Sequence, residues 1–74
     1  MNMELSSTTL LLAYMPHAFA AVDAAFQDSP SKTYATLREK VRHWRDDHRL
    51  TLSDVDCERL AGWLNRTVYH LAAE

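Results

Sequence analysis

Apolar residues recur at helical spacing in three stretches of this chain, and nowhere do they alternate as a strand requires. From about Ser7 to Gln27, Leu11, Met15, Ala18, Phe19, Val22, Ala25 and Phe26 repeat on one helical face. From about Ser31 to His48, Tyr34, Leu37, Val41, Trp44 and His48 follow alternating steps of three and four. After Ser53, the residues Cys57, Leu60, Ala61, Leu64, Val68 and Leu71 make a third stripe that frays near Ala72. The pattern predicts an all-α fold, a small three-helix bundle formed by one domain of 74 residues.

The punctuation agrees with three helices. Asp28-Ser29-Pro30-Ser31 reads as the first connection, with a cap followed by proline near the next helix start. Arg49-Leu50-Thr51-Leu52 reads as the second. Ser53 then caps the third helix, and Ser53-Asp54-Val55-Asp56 forms a capping box with Asp in place of Glu. Pro16 falls inside the first stripe and cannot donate to the carbonyl of Leu12. The first segment is therefore either one kinked helix or a short helix ending near Tyr14 and a second starting at Pro16.

The back of the first helix is not polar. Ala13, His17, Ala20 and Ala24 lie there, with Leu10, Tyr14 and Ala21 beside them. A helix that is apolar nearly all round is normally covered on more than one side, and two other helices cannot cover this one. The expectation is a homodimer or a protein partner seated on that face.

Composition narrows the setting. A chain this short buries only about 60% of its unfolded surface, so its core is small. Cys57 is the only cysteine, which rules out an intrachain disulfide, fits a reducing, cytoplasmic compartment, and places the thiol on the core stripe. Leu10 to Ala20 ends in Ala18-Phe19-Ala20 and imitates a secretory leader, yet Glu4 precedes it and no Lys or Arg does. No apolar run is read as reaching the roughly 18 residues needed to span a bilayer, so no membrane partner is expected. Net charge is −2, but Lys32 to Arg49 carries +3 and the remainder −5.

Two side-chain groups suggest binding. Arg38, Arg42, Arg45 and Arg49 form a stripe rotated about 80° from the apolar stripe of the second helix. It reads as a phosphate-tracking face, or as a solvated face in which Glu39 and Asp46 partly neutralise Arg42. On the third helix Trp63 lies beside the apolar stripe with Arg59, Arg66 and His70, and Tyr69 lies nearly opposite it. Trp, Tyr and Arg are the residues enriched at binding hot spots, so Trp63, Arg59, Arg66, Tyr69 and His70 are the predicted partner-binding set. Gly62, inside a helix at a cost of about 1 kcal/mol against alanine, suggests close approach of another backbone.

The stretch Leu60-Ala61-Gly62 followed by Arg66-Thr67-Val68-Tyr69 resembles the second half of a helix-turn-helix DNA reader. That resemblance implies a turn at Ala61-Gly62 and a recognition helix led by Asn65, Arg66 and Tyr69, with the arginine stripe on phosphates. Glu58 and Leu64 depart from the pattern, which wants a small residue and a polar cap at those places. An uninterrupted third helix explains the same positions without a turn.

Other chemistries find little support. His43 and Asp47 are one turn apart, but two ligands do not make a metal site, and no metal or cofactor is expected. No nucleophile stands beside an oriented base, no glycine-rich phosphate loop is present, and a bundle of this size leaves little room for a pocket of about 300 Å3 or more. The expected activity is therefore binding, not catalysis. In type the chain resembles the small acidic helical proteins that phages and plasmids direct against host machinery, anti-CRISPR proteins included. This implies a regulator or inhibitor of another protein or complex, with a DNA-binding regulator as the alternative.

Overall fold

The computed structural model describes residues 6–29 and 31–72. Three helices, α1 (Thr8–Gln27), α2 (Tyr34–Asp47) and α3 (Asp54–Leu64), pack pairwise into an all-α bundle, and a π-helical turn (Asn65–Tyr69) closes α3. No strand forms among the described residues. Pro30 and Glu4 lie outside them.

α1 is a single helix that runs through Pro16. Leu12, whose carbonyl loses its helical donor, and Pro16 are both exposed, so water reaches the broken rung. Each helix start is capped by a side chain. Ser7 Oγ accepts from Leu10 N at 3.1 Å. Thr33 and Thr36 cap α2 reciprocally, at 3.1 and 2.9 Å, so α2 begins at Tyr34, later than the serine-proline punctuation predicts. The capping box expected at Ser53 and Asp56 is present, with both bonds at 3.1 Å.

α2 ends in a Schellman turn. Arg49 adopts left-handed backbone (φ 53°), Arg49 N donates to Asp46 O at 3.1 Å, and Leu50 N donates to Arg45 O at 3.0 Å. The turn directs Leu50 back against Trp44, and it makes Arg49 a chain-reversing residue instead of the last member of an arginine row.

The core consists of Leu11, Ala18, Val22 and Phe26 of α1, Leu37, Val41 and Trp44 of α2, Leu52, and Cys57, Leu60, Ala61 and Leu64 of α3. These are largely the predicted stripes. Phe19 and His48 are exceptions, both exposed, and Val68 is 44% exposed because Tyr69 takes the place beside α1. Burial pushes the Cys57 thiol above its ordinary pKa, which suits an apolar filler.

α1 remains poorly covered. Leu10 and Leu12 are 45% and 54% exposed, and Ala13, His17, Ala20 and Ala24 face solvent. Against the expectation that no apolar run is long enough to span a bilayer, α1 is long and apolar enough by length and composition, and only 22% of its most apolar stretch is buried by the rest of the chain.

Among the described residues, one charged residue is fully buried. Asp56, 1% exposed, accepts from Ser6 N (3.2 Å), Ser6 Oγ (2.7 Å) and Ser53 N (3.1 Å). Arg59 stands 3.6 Å from the same carboxylate and donates to Ser6 O at 2.8 Å and Thr8 Oγ1 at 3.1 Å. The start of α1 is thereby fastened to the start of α3. Burial alone would raise the pKa of Asp56, but the hydrogen bonds from Ser6 and Ser53 outweigh it and hold the carboxyl below its ordinary value.

Because the folded value is depressed, this contribution to stability is complete above the unfolded carboxyl value of about 3.9 and disappears as pH falls through the folded value. Thermal melts in the acid range should show that loss. Asp56→Ala should flatten it and lower stability by about 2–3 kcal/mol at neutral pH.

Candidate functional site

Where α1 and α2 diverge, a groove of about 560 Å3 opens between them, lined by Tyr14, His17, Ala20, Ala21, Trp44, His48 and Leu50. Its size falls within the roughly 300–1,000 Å3 of ligand-binding clefts and overturns the expectation that so small a bundle leaves no such room. A bundle of three unequal helices explains it. α1 is 20 residues long, α2 only 14, and alanines at 20 and 21 leave the seam unfilled.

Tyr14 and Trp44 form its floor, ring centroids 5.7 Å apart at 76°, and His48 lies 6.3 Å from Trp44. The Schellman turn supplies the end wall, because it carries Leu50 and His48 to the same side. A second recess of about 200 Å3, lined by Ala21, Ala25, Lys40, His43, Trp44 and Asp47, shares Ala21 and Trp44 with the groove and continues along the seam. The combined cleft has an apolar floor and a rim of three imidazoles and one ammonium against one carboxylate. Among the described residues no three His, Cys, Asp or Glu side chains converge as metal ligands.

The predicted partner-binding set does not assemble into one surface. Arg59 is occupied by Ser6, Thr8 and Asp56, and its guanidinium lies 5.6 Å from the Trp63 ring, which is half-buried against the core. Tyr69 is not opposite the apolar stripe. The i→i+5 turn swings it onto α1, edge-on to Phe26 at 5.3 Å, with its hydroxyl donating to Asp23 at 3.2 Å. His70 caps that turn in left-handed backbone (φ 52°) and is exposed. Arg66 is exposed on the α2 side of α3, over Gly62.

The helix-turn-helix arrangement is also absent. α3 passes through Ala61 and Gly62 without a turn, and Asn65, Arg66 and Tyr69 belong to the π-turn. Asn65 is a fastening, bonded to Leu71 O at 3.1 Å and accepting from Leu71 N at 2.6 Å. No backbone from another element approaches Gly62. The atoms nearest a Cβ built there are Arg66 Nη1 at 3.5 Å and Tyr34 Oη at 3.7 Å, both ordinary contacts.

The arginine stripe divides as well. Arg45 bonds Asp54 (2.7 Å), Asp46 (2.9 Å) and Leu52 O (3.2 Å), and the Asp54 bond foremost raises its pKa above the ordinary value. Arg38 reaches Glu58 at 3.3 Å. These two join α2 to α3, while Arg42 is half-buried and Arg49 sits in the Schellman turn.

Comparison with known proteins yields no matching family model, no matching curated protein and no matching solved structure.

The Tyr69 anchor can be tested by titration. Burial first, then the hydrogen bond to Asp23, pushes its pKa up to about 12. Protection of the neutral phenol is fully present below the unfolded value near 10 and is lost as pH rises from there through about 12. Denaturant unfolding followed alongside phenolate absorbance should show that alkaline decline. Tyr69→Phe should remove this component and cost about 1 kcal/mol at neutral pH.

Proposed function

We propose that this chain is a protein-docking module, a regulator or inhibitor that holds an apolar helical segment of another protein in the α1–α2 groove. The observation that carries the reading is the groove itself, an aromatic floor continuous with the uncovered alanine face of α1. An amphipathic helix laid along such a seam buries its apolar face by the helix-in-groove mode. The rim specifies the partner further. Lys40 offers a positive charge and His17, His43 and His48 offer imidazole N–H donors beside the one carboxylate of Asp47, which suits acidic or other hydrogen-bond-accepting residues flanking the apolar stripe of the incoming helix. A phage- or plasmid-borne inhibitor of host machinery, the anti-CRISPR type included, would act this way by occupying a surface its target needs.

Ala20→Arg tests the seat. Ala20 is exposed and lines the groove, so arginine there blocks docking without entering the core. Circular dichroism should be unchanged. The wild-type chain, used as bait in its host extract, should retain a partner identified by mass spectrometry whose affinity for the variant falls at least about tenfold. Equal retention of that partner by both chains would sink the proposal. Light scattering supplies the second arm, in that a wild-type dimer converted to monomer by Ala20→Arg would assign the seat to a second copy of this chain.

A further inference from the structure

We propose that the seam of α2 and α3 over Gly62 is an anion site that takes a phosphoryl group between Arg66, Tyr34 and Arg38. This site is separate from the α1–α2 groove and does not rest on it. The only glycine of the chain lies in the interior of α3, where it costs about 1 kcal/mol relative to alanine. The fold does not demand it, since a Cβ would make ordinary contacts of 3.5 Å to Arg66 Nη1 and 3.7 Å to Tyr34 Oη. What glycine leaves is an open point on which a guanidinium and a phenol hydroxyl converge.

Among the described residues, neither of those donors has a hydrogen-bond or ion-pair partner. Arg38 completes the cluster. Its guanidinium lies 5.5 Å from the Tyr34 ring, and its Nε–H is buried with no acceptor. Its Nη1 donates to Glu58 Oε2 at 3.3 Å, a long bond between half-exposed groups. The cluster counts two guanidiniums against one carboxylate, so it is positive, and Glu58 holds the Arg38 Nη1 donor that an incoming anion would claim. Paired planar guanidiniums and a phenol O–H are the donors that suit the anionic oxygens of a phosphoryl group. The group could belong to a small phosphomonoester or to a phosphodiester backbone.

Inorganic phosphate is the probe. The 15N-labelled chain is titrated at neutral pH and constant ionic strength, with chloride as the reference anion, while the Gly62 amide and the Arg38 and Arg66 Nε–H signals are followed. Saturable shifts with phosphate alone are expected. Arg66→Ala should weaken binding at least about tenfold, the loss expected for a charged hydrogen bond. Glu58→Gln should tighten it severalfold by removing the internal competitor. Gly62→Ala should raise the melting temperature and yet weaken phosphate binding, opposite signs that a purely structural glycine cannot produce. A short DNA duplex that displaces phosphate from the same signals identifies a phosphodiester source, and failure to displace it identifies the phosphomonoester. Identical, non-saturating shifts with phosphate and chloride, or phosphate affinity unaltered in Arg66→Ala, would overturn the proposal.

Discussion

Asp56 holds a carboxylate almost entirely out of water, and the arrangement of α1 depends on it. An ion so placed is tolerable only when its oxygens are filled, and here Ser6, Ser53 and Arg59 fill them. Two of those partners belong to α3 or its cap, and the third lies just before α1, so the bond network sets where α1 begins against α3. A slide of α1 along α3 would take away both Ser6 donors and leave the buried carboxylate to Ser53 and Arg59 alone. With α1 fixed at its start, the groove forms along the seam where Ala20 and Ala21 are too small to fill the space beside Trp44, His48 and Leu50.

The same economy recurs at the other seams. Arg45 and Arg38 cross from α2 to α3, and Tyr69 ties the end of the chain to Asp23. In a core of so few large side chains, directional contacts at the edges decide how the helices meet, while apolar burial supplies most of the driving force. The exposed pairs among them add little free energy individually, and their contribution is to register. What remains unpartnered is therefore informative. The back of α1 and the donors over Gly62 are the places where the chain offers surface or hydrogen bonds that its own fold does not use.

Most of the fold was legible from periodicity. Leu37, Val41 and Trp44, or Leu60, Ala61 and Leu64, could hardly face elsewhere in helices of their length, and the Ser53–Asp56 box announced its helix. The excess apolar surface of α1 was also legible, and it is half of the groove. The other half was not, since Trp44, His48 and Leu50 read as a core stripe and a connection, and nothing in spacing shows that a left-handed Arg49 folds Leu50 back beside Trp44. The roles of the arginines were hidden for a similar reason. Helical wheels place Arg38, Arg45 and Arg59 on faces, but their acceptors are Glu58, Asp54 and Ser6, at sequence distances that only tertiary packing closes. Asp56 read as a helix cap, and its second role required knowing that Ser6 arrives from the far end of the chain.

The π-turn sets a strict count on the end of the chain. Its wider ring accommodates one residue more than an α-turn, and that extra residue is what brings the Tyr69 phenol over Phe26. An ordinary α-turn over the same residues would set Val68 on the apolar stripe and turn the Tyr69 phenol toward water, stripping Phe26 of its cover. The turn type of this short segment is thus constrained far more tightly than its exposed residues Arg66, Thr67 and Val68 would suggest.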